Sequence, residues 1–253
     1  MNVCLTVGGS DSSAGAGIQA DLATFQSLGV PACCAVTALT AQNPHGISSI
    51  MPTDLRHFRA ELKAIFDYYD VDVVKTGMLV DAAHIDVLLD VLDHDHQGKT
   101  VIVDPVLVAS SGRPLLDHDA VNRLHVLCRQ ATLVTPNWPE LHFLSIDENE
   151  EIHIVADKMT KLWQTNLLLK GGHMPSEKLE DKLFLENGEQ YSYWHEKMIL
   201  DKEQAHGTGC RLASAIATMM MKGLSLQIAT ENAIDWLNKS LHMRLAKGSQ
   251  YGG

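Results

Sequence analysis

Short apolar runs and longer amphipathic stretches alternate along nearly the whole chain, and this alternation limits the possible folds more than any other feature. Residues 3–8, 32–40, 71–75, 100–103, 132–134 and 167–170 read as buried strands. Between them lie helical patterns over 16–28, 55–67, 81–93, 117–129, from Pro139 onward, and over 151–164. Ile18, Leu22 and Phe25 share one face of the first helix; Ile85, Leu88, Leu89 and Leu92 share one face of the third. Asp54 is placed to cap the helix over 55–67. Ile47–Met51 adds a short strand, and Asp181–Leu185 with Gln190–Trp194 reads as an antiparallel pair around Asn187-Gly188. Helices over 208–221 and 225–245 close the chain.

This order predicts an α/β fold, a mostly parallel central sheet with helices on both faces. Ligands bind such sheets at the carboxyl ends of the strands. The residues with chemical potential fall there: Gly9–Asp11, Gln42, Lys75–Met78, Asp104, Asn137–Glu140 and Lys170–Gly172. Residues 8–15 read as a loop, and 42–46 as a turn. With no internal repeat, linker or low-complexity segment, residues 1–253 read as one domain.

Composition narrows the partners. The formal charge is −11, from 20 Lys+Arg against 31 Asp+Glu. Such a surface repels nucleic acid and anionic lipid, which excludes both as partners. An anionic substrate must then be met by local backbone donors, a few basic residues or a metal. The five cysteines show no Cys-x-x-Cys spacing, so neither a disulfide framework nor a zinc knuckle is expected. The N-terminus lacks a basic region, so it is no signal peptide, and no run approaches the ~20 apolar residues of a membrane helix. The expected location is the cytoplasm.

The most distinctive stretch is 206–221, which begins His-Gly-Thr-Gly-Cys and runs into small apolar residues. Gly207 and Gly209 tolerate backbone angles that a Cβ forbids. Leu212, Ile216 and Met219 fall on one helical face. A helix starting here points free N–H groups and its positive end into the turn, an anion site suited to phosphate. Cys210 sits at its mouth, where a thiol is shifted toward thiolate. By itself the stretch reads equally well as a glycine turn before a buried helix, with Cys210 a small core residue.

Other motifs are weaker. Gly15-Ala-Gly-Ile-Gln-Ala20 matches a dinucleotide fingerprint, but six loop residues precede it and no acidic residue lies between Leu22 and Ser49 to hold a ribose. No Walker loop occurs, so a kinase built on this chain must cradle phosphate in the turn at 206–210. Asp104 and Glu140, each after an apolar strand, suit a hydrated Mg²⁺ shared with phosphates. Lys170-Gly-Gly-His173 brings an ammonium and two close backbone approaches. His94, His96, His118 and His125 read as surface residues, and Met219–Met221 as core.

Seven segments together resemble the hydroxymethylpyrimidine/phosphomethylpyrimidine kinases of thiamine biosynthesis, in the ribokinase-like superfamily. They are Gly9–Asp21, Thr37–Asn43, Lys75–Leu79, Asp104–Gly112, Thr135–Glu140, Leu168–His173 and His206–Cys210, in family order. The resemblance implies a ribokinase-like fold and ATP- and Mg²⁺-dependent phosphorylation of 4-amino-5-hydroxymethyl-2-methylpyrimidine and then of its monophosphate. It implies that Gly9, Asp21, Gln42, Met78 and Val106 line the pyrimidine pocket, with Asp21 and Gln42 pairing to the aminopyrimidine edge. Asp104 and Glu140 would organise Mg²⁺, Lys170 and Asn137 the ATP phosphates. Gly207, Thr208, Gly209 and Cys210 would form the anion hole, with Cys210 where most of the superfamily carries an aspartate base.

Several positions depart from the family pattern. Ser12 and Ala14 stand where Pro and Gly are usual, Ser110 where Lys or Thr is common, and Arg211 where Thr or Ser follows the cysteine. Arg211 is expected to add a cation beside the hole. The end of the chain, residues 248–253, lacks the usual tail. A pyridoxal/pyridoxine kinase remains an alternative, as does a catalytically dead pyrimidine-binding protein, and the sequence leaves a homodimer open.

Overall fold

The computed structural model describes residues 1–43, 45–95, 98–109, 112–145, 150–171 and 178–248. In chain order the elements are β1 (Asn2–Asp11), α1 (Gly17–Ser27), β2 (Ala32–Asn43), β3 (Gly46–Pro52), α2 (Leu55–Phe66), β4 (Asp70–Thr76) and α3 (Ala82–Asp95). Then come β5 (Thr100–Val103), α4 (Val121–Gln130), β6 (Leu133–Val134), α5 (Trp138–Leu144), α6 (Ile152–Trp163) and β7 (Asn166–Leu169). β8 (Lys178–Phe184), β9 (Gln190–Glu196), α7 (Lys202–Ala205), α8 (Thr208–Met221) and α9 (Leu226–Gly248) complete the chain.

All nine strands join one sheet, ordered β3-β2-β1-β4-β5-β6-β7-β8-β9. The six central strands, β2 to β7, run parallel; β3 at one edge and β8 and β9 at the other run antiparallel to their neighbours. Period-2 alternation divides the strand residues between two cores, because successive side chains point to opposite faces. Leu5, Val101, Val103, Leu167 and Leu169 face α2 to α6, where Phe58, Leu88, Leu127 and Trp163 are buried. Cys4, Val73, Ile102 and Leu168 face α1, α8 and α9, where Phe25, Leu212, Ile216 and Ile234 are buried. Ala213, Ala215 and Ala217, all buried, keep α8 close to the sheet.

The expected elements are present, with shifted ends. β1 continues to Asp11 through residues expected to be loop, pairing Ser10 with Leu39 and Asp11 with Thr40 after a register shift between Gly8 and Gly9. β2 likewise runs past residue 40 into the expected turn and ends at Asn43. The helix expected over 117–129 begins as a 3-10 turn at His118–Ala120 and turns α-helical at Val121. His125 is no plain surface residue, since its Nδ1 accepts a hydrogen bond from buried Trp163 Nε1 at 2.9 Å. His96 lies outside the described residues. No helix among the described residues is long and apolar enough to cross a membrane.

Candidate active site

At the carboxyl ends of the parallel strands lies a cavity of about 990 Å³. Gly9, Asp21, Gln42, Met78, Val106, Asp104, Asn137, Glu140, Lys170 and residues 207–210 line it, whereas Gly171 does not and instead lies close against Glu180 of β8. Ser110, Gly172, His173 and residues 249–253 lie outside the described residues.

Glycines and turns shape the acceptor end. Gly9 leaves room for Met78, whose Sδ would stand 2.9 Å from a Cβ there. Met78 packs with Val106, Ala38, Val80 and Leu115 into a small apolar wall. Gly17 sits at φ +59°, and a Cβ would lie 2.3 Å from Gly9 O, so α1 starts directly beneath the end of β1. Asp11 organises the loop between them. Its Oδ1 accepts from Ser13 N–H and Oγ–H, both at 2.8 Å, and its Oδ2 from Gly15 N at 3.1 Å and Ala16 N at 2.8 Å. Burial alone would raise its pKa, but the donors from His206, Ser13 and Ala16 outweigh burial and hold it below the ordinary carboxylate value. His206 Nε2 stands 2.8 Å from Asp11 Oδ2 and 2.9 Å from Gln42 Nε2. Gly15 makes room for that ring, since a Cβ there would lie 2.3 Å from His206 Cδ2.

Asp21 departs from expectation. Lys75 Nζ donates to both of its oxygens at 2.9 Å, Thr6 Oγ1 donates at 2.6 Å and Ser214 Oγ at 2.8 Å. Asp21 and Lys75 side chains are each 1% exposed. The carboxylate is thus filled by the protein's own donors, and it holds a buried lysine rather than offering itself to a pyrimidine edge. Burial works against the Lys75 ammonium, but Asp21, Cys210 and Asp104 outweigh it and raise its pKa above the usual lysine value.

The turn before α8 takes the expected form. Gly207 is its N-cap at φ 76°. A Cβ on Gly207 would lie 2.1 Å from Gly15 O and 2.7 Å from Arg211 Nη1. Thr208 lines the cavity and donates its hydroxyl to Ala205 O at 3.0 Å. Arg211 does not point a free cation at the hole. Its Nη1 donates to Gly15 O at 2.7 Å and His206 O at 3.3 Å, tying two loops together. Cys210 also differs from expectation, for burial pushes its thiol up to about 11. Lys75 draws it down, Asp21 and Asp104 push it up, and the Gly17 amide favours the thiolate, yet desolvation wins over the helix end.

The donor end gathers around Lys170. Its Nζ lies 2.8 Å from Asp104 Oδ1 and 3.7 Å from Glu140 Oε2. Burial opposes the ammonium, but Asp104 and Glu140 outweigh it and raise the pKa above the usual lysine value. Asp104 responds in the opposite sense: burial raises it, while Lys170 and Lys75 carry it below the carboxylate range. Glu140 is pushed up to about 7 by burial, with Lys170 lowering and Asp104 raising it. Asn137 caps α5 in a reciprocal box: its Oδ1 accepts from Glu140 N at 2.9 Å, and its own N–H donates to Glu140 Oε2 at 2.8 Å. Lys170 N donates to Pro136 O at 2.9 Å, fixing β7 beside that cap. A Cβ on Gly209 would lie 3.3 Å from Lys170 Nζ, so this ammonium reaches the start of α8. Asp104 and Glu140 fit a hydrated Mg²⁺ shared with phosphates, which needs one or two carboxylates rather than a cage. Among the described residues no group of three or more His, Cys, Asp or Glu is placed to hold an ion alone.

Asp11, Lys75 and His206 form a frame to which the sequence assigned no role, and Arg211, expected as a cation beside the hole, joins that frame instead. Lys75 carried a signal, because a lysine inside an apolar strand must find a carboxylate. Asp181 is another such residue, accepting from Gly171 N at 2.7 Å and lying 3.1 Å from His195 Nε2.

Comparison with known proteins identifies the family of the chain. The family model described as phosphomethylpyrimidine kinase matches residues 11–253. The thiamine biosynthesis bifunctional protein ThiED of Geobacter sulfurreducens is 40% identical over 252 residues, covering 98% of this chain and 51% of that protein. This chain therefore spans about half the length of that relative. The hydroxymethylpyrimidine/phosphomethylpyrimidine kinase of Haemophilus influenzae is 36% identical over 255 residues, covering 98% of this chain and 94% of that one. Among solved structures, a pyridoxal kinase of Bacillus subtilis in an ADP complex superposes with a TM-score of 0.82 at 31% identity, over 93% of this chain and 89% of that one. With a ribokinase-like sheet and a glycine turn opening on its cavity, the chain belongs to the phosphomethylpyrimidine kinase family, the kinases of thiamine biosynthesis.

Proposed function

We propose that this chain is an ATP- and Mg²⁺-dependent kinase, a single domain working in the cytoplasm. It phosphorylates 4-amino-5-hydroxymethyl-2-methylpyrimidine and then the resulting monophosphate. The observation that carries this reading is the continuity of one cavity from the Met78–Val106 wall and Gln42 to the start of α8 and Lys170. A flat ring against the apolar wall leaves its hydroxymethyl arm toward the glycine turn. The backbone N–H groups at Thr208–Cys210 meet the phosphoryl oxygens, and the helix end supports their charge. Lys170 joins them from the donor side. Mg²⁺, held through Asp104 and Glu140, would supply further neutralisation of the donor phosphates.

Phosphoryl transfer asks mainly for in-line positioning and neutralisation of charge. A Cys210 thiol with a pKa near 11 is protonated at neutral pH, so the first transfer depends on positioning and charge rather than on a standing thiolate. In the second transfer the acceptor is a phosphate oxygen, which is already anionic near neutral pH. The N–H donors of the turn then also offset repulsion between the two phosphates.

A pyridoxal/pyridoxine kinase is the second reading, favoured by the likeness to the Bacillus subtilis enzyme. ADP release measured with the hydroxymethylpyrimidine, its phosphate, pyridoxine and pyridoxal decides between them. A higher kcat/KM on the pyrimidine and its phosphate is the expected result. Preference for the pyridines would move the assignment, and no pyrimidine-dependent ADP release would leave a binding protein without activity.

A further inference from the structure

Gln42, Thr40, His206 and Asp11 form a small hydrogen-bonded group at the acceptor end. The two ends of a carboxamide have nearly the same shape, so its partners decide which way round it sits. In the structure Gln42 Nε2 lies 2.9 Å from His206 Nε2, and Oε1 lies 3.4 Å from Thr40 Oγ1. Asp11 fixes the first of these contacts. With Ser13, Gly15 and Ala16 all donating to it, Asp11 is an ionised, acceptor-only carboxylate. His206 Nε2, 2.8 Å from Asp11 Oδ2, must carry the proton. An N–H facing the Gln42 NH2 would be two donors in opposition.

The second contact gives the same answer independently. Thr40 has one hydroxyl proton, and it goes to Ser10 O at 2.9 Å. Toward Gln42 the Thr40 oxygen can only accept. Both neighbours therefore ask for the opposite face of the amide: oxygen toward His206, NH2 toward Thr40.

We propose that His206, held by Asp11, is a positioning residue that turns the Gln42 amide oxygen toward itself and leaves an N–H for the cavity. One amide hydrogen goes to Thr40, and the other is the one this arrangement assigns to the cavity. Gln42 lines the cavity, so this N–H is what it offers the acceptor. The matching group on a pyrimidine is a ring nitrogen lone pair, which makes that nitrogen rather than the exocyclic amine the feature Gln42 selects. The inference rests on the pyrimidine kinase reading and specifies how that site recognises its ring.

The test uses two analogues of the hydroxymethylpyrimidine, each with one ring nitrogen replaced by C–H. Binding by calorimetry and turnover by ADP release are measured for the parent, His206→Ala, His206→Gln and Gln42→Glu, with melting temperatures as a check on folding. In the parent, one analogue loses about tenfold or more in kcat/KM, mainly through KM. In His206→Ala, where Thr40 alone still orients the amide, that penalty shrinks several-fold, and His206→Gln, which keeps a donor, restores part of it. Each penalty is a ratio within one protein, and comparing ratios cancels the analogue's own basicity. If His206→Ala does not fold, Gln42→Glu carries the test. It keeps an oxygen for His206 and lacks the N–H, so the penalty disappears there. A penalty undiminished in His206→Ala or surviving in Gln42→Glu, or none in the parent for either analogue, overturns the inference while leaving the kinase reading standing. A parent that neither binds nor phosphorylates the pyrimidine removes both.

Discussion

Lys75 and Lys170 both bring an ammonium group to the carboxyl edge of the sheet, the first buried and the second part-buried, and they are set up in opposite ways. Lys75 has one carboxylate, Asp21, whose remaining capacity is taken by Thr6 and Ser214. Its surroundings are closed and charge-balanced. Lys170 is shared by two carboxylates, one at 2.8 Å and one at 3.7 Å, and its side chain is 13% exposed. Glu140 answers by holding its proton up to about 7. A closed pair has nothing to offer a ligand, whereas an ammonium with surplus carboxylates is arranged for a guest that brings its own charges. The first therefore belongs to the frame, and the second to the chemistry.

The sharpest way to break this contrast is Asp21→Asn. It leaves the Lys75 ammonium buried without a counter-charge, and a loss of about 3–5 kcal/mol in urea unfolding is expected. A loss below about 1 kcal/mol would show that the pair is not closed. Lys170→Met should behave the other way. Turnover falls about 10²–10³-fold, while stability falls by less than half as much as in Asp21→Asn, because Glu140 already takes a proton. Equal effects on stability would erase the distinction.

A matched pair of glycines sharpens the contrast. A Cβ on Gly77 and one on Gly209 would each stand 3.3 Å from the neighbouring lysine Nζ, Lys75 and Lys170 respectively. The Lys75 ammonium is locked, so Gly77→Ala should destabilise by about 1–3 kcal/mol. The Lys170 ammonium can give way, and alanine suits a helix better than glycine. Gly209→Ala should keep its melting temperature and raise KM for ATP several-fold. The smallest effect concerns Cys210, which Lys75 draws toward thiolate while Asp21 and Asp104 oppose it. With a pKa near 11, the thiolate fraction grows about tenfold per pH unit from pH 7 to 10. Iodoacetamide labelling followed by mass spectrometry should track that rise without a plateau. A plateau below pH 9 would mean that the helix end overcomes burial after all.

Much of the fold was legible because apolar runs and helical spacing report burial directly. The cavity residues were legible as a set because they follow strand ends, where Gln42, Asp104 and Lys170 all stand. The polar end of β1 was not legible. Ser10 and Asp11 look like loop, yet their backbone continues to pair with β2. Nor does spacing reveal that Asp21 meets Lys75 across 54 positions, or that His206 meets Asp11 across 195. The first depends on how α1 packs over β4, and the second on how the turn before α8 folds over the end of β1. The same limit explains Cys210: its place before a helix is visible in sequence, while the desolvation that governs its proton arises only from the packed surroundings.

The link from Arg211 to Gly15 O, across 196 positions, has a consequence for the timing of synthesis. A ribosome releases the first strand and its glycine loop early, but the guanidinium that clasps that loop emerges only after all nine described strands. Until then the phosphate turn and the ring-binding loop cannot be held in register. The nascent chain is thus silent toward both of its ligands, and competence arrives abruptly as the last helices dock.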